Sequence, residues 1–235
     1  MTNPDPDVVR ATFEGIAPRY DLANHLLSGG LDFFWRRRLI REAKADQPRD
    51  VLDLATGSGD VALALRKALS VEAQITGLDF CPPMLAEAER KRIAAGHSSD
   101  SLRFMQGDCL SLDFPDDSFD LVTIAFGLRN LCDRAIGLSE MQRVLRPGGR
   151  LLILEFSQPF FFLRSFYYLY LRLILPLFAR WVTGDRKAYE YLGSSISGFP
   201  DRFGLAEELR QANFGKISFV SLTGAVVALH VGEKK

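Results

Sequence analysis

A strand-like run, DVLDLA at 50–55, passes directly into TGSGD and then into the apolar helical segment VALALRKAL at 61–69. Gly57 and Gly59 let the backbone turn and approach a ligand closely, and a helix N-terminus follows at once. The series Gly57-Ser58-Gly59-Asp60-Val61-Ala62 is a GxGxxG fingerprint with alanine in its last place. Asp79 ends the next apolar run, where a carboxylate can bond both hydroxyls of a ribose, and Asp108, after the third run, can accept from an adenine amino group. Either aspartate by itself is more often a solvated turn or a helix cap. Alanine in the last place is tolerated in some dinucleotide sites, so an NAD-linked reductase competes with a nucleoside-binding enzyme. Against the reductase stand a single such half and the lack of a nicotinamide-side dyad. Asp53, the first acidic loop residue, would also repel a pyrophosphate. An S-adenosyl ligand, which has no phosphate, fits the loop better.

The elements that must position these residues alternate. ITGLD (75–79), LRFMQGD (102–108), FDLVTIAF (119–126) and RLLILEF (150–156) read as strands two to five. PPMLAEAERKRIA (82–94) and RAIGLSEMQRVL (134–145) read as helices between them, the second leading through the turn RPGG. This alternation predicts an α/β fold with a parallel sheet covered on both faces and its ligands at the carboxyl ends of the strands. FGLAEELRQANF (203–214) reads as a further helix, and KISFVSL (216–222) and AVVALHV (225–231) as two terminal strands whose hairpin gives the sheet an antiparallel edge. Residues 1–45 are expected to form an N-terminal helical lid or flank on a domain spanning 46–235, with an aromatic-rich helical insertion at 160–198.

Among 235 residues, 29 Lys+Arg balance 29 Asp+Glu, so no general basic footprint for nucleic acid is present. The start lacks the apolar run of a secretory signal. Three cysteines are too sparse for a disulfide scaffold or a thiolate metal site, and the three histidines have no metal-ligand spacing. His25 could shuttle a proton within the flank; His97 is expected to be peripheral and His230 structural. The segment FFFLRSFYYLYLRLILPLFARW at 160–181 approaches the length of a membrane span, but Arg164, Arg172, Arg180 and Pro176 interrupt it. Its remaining readings are an apolar helix packed on its own domain, or an amphipathic one lying on a membrane or over a greasy substrate cleft.

In family order, FEGIAPRYDLANHLLSGGLDFFW, VLDLATGSGD, GLDFCPPML, GDCLSLDFPDDSFDLVTIAFGLRNL, MQRVLRPGGRLLILEFSQP, YEYLGSSISGFP and LTGAVVALHVG resemble the motifs of class I S-adenosylmethionine-dependent methyltransferases. More narrowly, they resemble the quinone C-methyltransferases of menaquinone and ubiquinone biosynthesis. The resemblance covers most of the chain. It implies a single seven-stranded Rossmann-like domain and methyl transfer from S-adenosyl-L-methionine to a ring carbon of a polyprenylated quinol, demethylmenaquinol first and the ubiquinone precursor close behind. By the same pattern the cofactor would be held by Asp53, Gly57, Ser58 (where Thr is usual), Gly59, Asp79 with Phe80, Asp108 with Cys109, and Ala125, where many relatives have Ser. The plainer role of Cys109 is a buried small hydrophobe. LCD at 131–133 and DFCPP at 79–83 depart mildly from the pattern.

Deprotonating a quinol hydroxyl would make the adjacent ring carbon nucleophilic, and alignment with exclusion of water would lower the barrier. Arg129 of FGLRN is the first catalytic candidate, stabilising phenolate charge and orienting a water. Asn130 could orient the quinol or cap its own loop. Tyr20, Asp21 and Asn24 form the polar part of RYDLANHL; Tyr20 and Asn24 share a helical face at i,i+4, with Asp21, an acid/base or capping residue, beside it. Trp35 lines a greasy entrance or belongs to the core. An oxygen- or nitrogen-methyltransferase and a noncatalytic cofactor-binding module are the competing classes. The expected setting is the cytoplasm, at the inner face of a membrane that holds the substrate's tail, with a homodimer left open.

Overall fold

The computed structural model describes His25, residues 28–174 and residues 186–235, with residues 173, 174 and 186–191 by backbone only. Tyr20, Asp21 and Asn24 therefore lie outside the described residues, as do Pro176, Arg180 and Trp181.

The predicted strands form β1 (Asp50–Leu54), β2 (Gln74–Asp79), β3 (Leu102–Gln106), β4 (Phe119–Ala125), β5 (Leu145–Phe156), β6 (Phe214–Leu222) and β7 (Val227–Lys234). They pair in one sheet ordered β3-β2-β1-β4-β5-β7-β6. β1 to β5 are parallel, and four of the five β1 residues are buried, the apolar run of a strand covered on both faces. β7 is the antiparallel strand at the expected end of the sheet, inserted between β5 and the edge strand β6. The predicted RPGG turn is absorbed into β5. Phe119 pairs with Leu145 and Leu121 with Arg150, so the turn bulges out of the ladder, with Gly148 at φ 78°.

Helices cover both faces: α1 (Leu31–Ala43), α2 (Asp60–Ala68), α3 (Pro82–Ala94), α4 (Arg134–Val144), α5 (Phe161–Leu169), α6 (Arg186–Gly198) and α7 (Arg202–Gln211). Local chemistry starts them. Prolines open α3, the Asp133 carboxylate accepts from Ile136 N at the start of α4, and Asp201 accepts from Phe203 N and Gly204 N at the start of α7. α1 inserts Trp35, Leu39 and Ala43 into the core formed with α2 and the sheet. Trp35 is core rather than entrance: its Nε1 donates to Thr223 Oγ1 at 2.8 Å, in the turn joining β6 to β7. α5 docks on the same turn, with Phe160 N donating to Gly224 O at 3.0 Å. A Cβ on Gly224, which has φ +64°, would lie 2.4 Å from Leu163 Cδ1. No residue of α5 is fully buried: Phe161, Phe162 and Phe166 are exposed while Tyr167 and Tyr168 are half-buried, the latter bonded to Gln158, and a π-helical turn follows at Tyr170–Ile174. Among the described residues no helix is long and apolar enough to cross a membrane.

Candidate active site

Strand order reverses between β1 and β4, and the loops leaving the carboxyl ends of β1 to β4 enclose a cavity of about 370 Å³. Its wall takes Ala55 and Gly57 from the first loop, Asp79 and Phe80 from the second, Asp108 and Cys109 from the third, and Ala125, Phe126 and Asn130 from the fourth. Two wall residues adopt the left-handed region without being glycine, Ala55 at φ 47° and Phe126 at φ 57°. Each turns the chain sharply off the end of a central strand, an arrangement that costs backbone energy and concentrates at functional sites.

Asp79 holds the centre. Its Oδ2 accepts from Gly57 N at 2.8 Å and its Oδ1 from Cys81 N at 2.9 Å, which ties the glycine loop to the end of β2. Burial raises its pKa, opposed by the N–H donors of Cys81, Gly57 and Phe80. Asp108 Oδ1 accepts from Leu110 N at 2.9 Å. The buried Cys109 thiol is pushed up to about 12, first by burial and then by the charge of Asp79, so at neutral pH it is a small uncharged wall.

The remaining loop residues divide. Asp53 and Ser58 line a smaller recess of about 30 Å³ that shares Ala55, Gly57, Ala125 and Phe126 with the main cavity. Asp53 accepts from the hydroxyls of Thr56 and Thr123, both at 2.6 Å, and acts as a clamp beneath the loop. Burial pushes it up to about 6, against the Thr123 and Thr56 bonds and the charge of Arg36. Gly59 does not approach the cavity as the sequence reading expects. Its added Cβ would meet Phe104 Cζ at 2.8 Å and Ala88 Cβ at 3.0 Å, so packing against β3 and α3 requires the glycine there.

Arg129 lies in a 3-10 turn, Leu128–Asn130, and it is not on the cavity wall as expected. Nη1 donates to Glu155 Oε1 at 2.9 Å and to Phe126 O at 2.5 Å, and the guanidinium sits 5.2 Å from the centroid of Phe156. The physical reason is Glu155, which is 1% exposed and must be paired inside the protein. Asn130 is the residue of this turn that reaches the wall. His25 Nδ1 lies 2.6 Å from Asp32 Oδ2, and its ring stacks on Phe33. His97 follows α3, away from the cavity. His230 is buried with Nε2 donating to Arg202 O at 2.9 Å, and burial lowers its pKa, as suits a neutral structural imidazole. Sequence reasoning missed Glu155 and Arg36. Hydropathy marks Glu155 only as a charge inside an apolar strand, and Arg36 only as one of three consecutive arginines.

The whole chain compares with known proteins. A model of the ubiE/COQ5 methyltransferase family matches residues 1–234. The demethylmenaquinone methyltransferase of Thermus thermophilus is 45% identical over 225 residues, covering 94% of this chain and 99% of that protein. A ubiquinone/menaquinone biosynthesis C-methyltransferase UbiE of Bdellovibrio bacteriovorus is 38% identical, covering 99% and 98%. Among solved structures, the [4+2]-cyclase SpnF superposes with a TM-score of 0.71 at 18% identity, covering 100% of this chain and 98% of that one. A possible histamine N-methyltransferase of Thermotoga maritima gives 0.68 at 17%, covering 96% and 99%. These structural likenesses establish the fold alone, which hosts different chemistries.

Proposed function

The chain belongs to the ubiE/COQ5 methyltransferase family, and from that premise we propose that it methylates a ring carbon of demethylmenaquinol. It is an S-adenosylmethionine-dependent methyltransferase. The observation that carries the acceptor is the 45% identity to a demethylmenaquinone methyltransferase across nearly the full length of both chains. A second reading, the ubiquinone precursor or both quinols, is favoured by relatives named for both pathways.

The site residues fit the cofactor by the chemistry of their donors and acceptors. In this reading Asp79, already oriented by two backbone N–H groups, takes the ribose hydroxyls, and Asp108 and Cys109 flank the adenine. Phe80 and Ala125 supply apolar wall, and Gly57 admits close backbone approach. The bound cofactor supplies an electrophilic methyl group on a sulfonium. The chain must therefore activate the acceptor and exclude water. Asn130 holds the quinol hydroxyl or a water beside it, and loss of the hydroxyl proton makes the neighbouring ring carbon nucleophilic. Arg129, neutralised by Glu155, acts as a positioning residue that fixes Phe126 O and the turn carrying Asn130. Tyr20 is proposed to contact the methionine moiety or the acceptor and Asp21 to act as an acid/base residue, with Asn24 sharing the polar part of the same segment.

For the isoprenoid tail we look to the surface. On α5, Phe161 is 85% and Phe166 74% exposed, and on α1 Phe33 and Phe34 are exposed beside Arg37 and Arg41. Both helices dock on the Thr223–Gly224 turn, α1 through buried Trp35 and α5 through Phe160 N, and each leaves aromatic side chains exposed of a kind suited to an anionic membrane surface. An acceptor panel tests the function: with short-tail demethylmenaquinol, simple phenols and amines offered separately, turnover is expected only with the quinol. Preferential methylation of a phenol oxygen or an amine would contradict it.

A further inference from the structure

A row of ring contacts runs across one face of the protein. Phe161 meets Phe162 with centroids 5.8 Å apart, and Phe162 stacks on Phe160 at 5.9 Å. The Arg202 guanidinium lies 5.2 Å from the centroid of Phe160 and 4.6 Å from that of Phe203. Phe203 meets Phe219 edge-on at 5.4 Å, which carries the row from α5 through the start of α7 to the edge strand β6. Phe161, Phe162 and Phe203 are each more than half exposed. A connected apolar surface left uncovered in this way marks a contact face.

The cations on this face differ from those elsewhere. Exposed arginines of other helices sit in ion pairs, as in Arg90 with Glu87, Arg92 with Glu89, Arg143 with Glu140, and Arg210 with Glu207 farther along α7. Among the described residues Arg164, Arg172 and Arg202 have no carboxylate partner, and residues 156–174 contain no Asp or Glu. The neighbouring acid, Asp201, uses its Oδ1 to accept from Phe203 N and Gly204 N at the start of α7. Arg202 is also well seated. Its carbonyl accepts from Nε2 of buried His230 at 2.9 Å. A guanidinium stacked on rings keeps its donors in its own plane, where two of them can engage one phosphate.

From this arrangement we infer that Arg202, stacked against Phe160 and Phe203, seats the phosphate of an anionic membrane lipid while the surrounding rings enter the interface. The inference rests on the membrane reading of α5 above, extends that face to α7 and β6, and names the group that recognises the headgroup. Charge selects the occupant. A symmetric contact with a second copy would set the same unpaired arginines against one another. Nucleic acid would need a basic stripe, whereas this chain balances 29 cationic against 29 acidic residues and surrounds Arg202 with phenyl rings. An anionic bilayer supplies both a phosphate and an apolar layer beneath it.

The test is flotation of the full chain with mixed vesicles of phosphatidylglycerol and phosphatidylcholine, and with phosphatidylcholine alone, at one ionic strength. Charge alone makes one surface cation worth about fivefold in affinity for an anionic bilayer. Arg164→Gln, which removes a cation that stacks on no ring among the described residues, sets that reference. Arg202→Gln is expected to lose at least about tenfold on the mixed vesicles, more than the reference. Arg202→Lys keeps the charge without the planar fork and is expected to lose at least about threefold. Thermal unfolding verifies each variant, and the lysine variant decides if the glutamine one does not fold. Wild-type affinity in Arg202→Lys, or a loss in Arg202→Gln no larger than in Arg164→Gln, would make Arg202 one charge among several and overturn the seat. Inorganic phosphate replacing chloride at equal ionic strength is expected to leave wild-type binding unchanged; displacement would make this a free-anion site and overturn the lipid assignment. Wild-type protein that floats with neither vesicle would remove the membrane reading of α5 and this inference together, and would turn the face towards an acidic protein partner. Wild-type flotation with Arg202→Gln unimpaired removes this inference alone.

Discussion

Asp53 shows how a buried carboxylate imposes a pH signature. Its ordinary pKa is 3.8 and burial raises it to about 6, so the folded protein holds this proton more tightly than the unfolded chain. Stability therefore falls as pH rises from about 4 to about 6 through this group alone, by on the order of 3 kcal/mol. Asp53→Asn removes the effect, so the stability difference between variant and wild type should move in the variant's favour across that window in urea melts. A difference independent of pH would contradict the burial account. For Arg129 the expectations concern both stability and rate. Arg129→Ala strands Glu155 and should cost about 3–5 kcal/mol, whereas Arg129→Met combined with Glu155→Met should recover most of that loss. If Arg129 also positions the turn that carries Asn130, the recovered double variant still loses at least tenfold in kcat with S-adenosylhomocysteine affinity within about threefold. Normal turnover in that variant would leave the pair purely structural. The places of Asp79 and Asp108 on the cavity wall were legible from sequence because Asp79 ends β2 and Asp108 follows β3 by two residues. Arg129's partner was not, since Glu155 meets it across 26 residues of chain.

Among the elements, the loop between β1 and α2 depends on side-chain space as much as on backbone freedom. Gly59 at φ +83° would drive a Cβ into Phe104, whereas Gly96 at φ +69° has nothing within 4 Å of its Cβ position. Both alanine variants bear left-handed strain, and Gly59→Ala should cost about 1–3 kcal/mol more than Gly96→Ala in thermal unfolding. Equal losses would mean that only backbone strain matters there. The strands and most helices could be read directly, because apolar runs of strand length alternate with helical periodicity and are punctuated by glycine and proline. The β5 bulge could not. RPGG has turn chemistry, and only the partner strand determines that Leu145 still pairs with Phe119. The left-handed residues Ala55 and Phe126 leave no compositional trace, since tertiary packing selects their conformation.

For the molecule as a whole, α1 and α5 both dock on one turn and each leaves aromatic side chains exposed, and a reversible membrane contact through α5 is predicted. The wild-type protein should co-sediment with phosphatidylglycerol vesicles more than with phosphatidylcholine vesicles. Phe161→Ser with Phe166→Ser should reduce the bound fraction severalfold while leaving turnover of a tailless quinol unchanged. Undiminished binding by that variant would move the contact elsewhere. Around this surface and the cavity the central claim is a single chemical event, carbon methylation of a reduced quinone. Its most direct measurement is product analysis by mass spectrometry and carbon-13 NMR. The purified protein is given S-adenosylmethionine carrying a labelled methyl group, together with reduced short-tail demethylmenaquinol and the matched ubiquinone precursor. The account predicts a methyl carbon bonded to the quinol ring, one S-adenosylhomocysteine per methyl transferred, and demethylmenaquinol as the preferred acceptor. Label on oxygen, or no labelled quinol from protein shown to bind the cofactor, would contradict it.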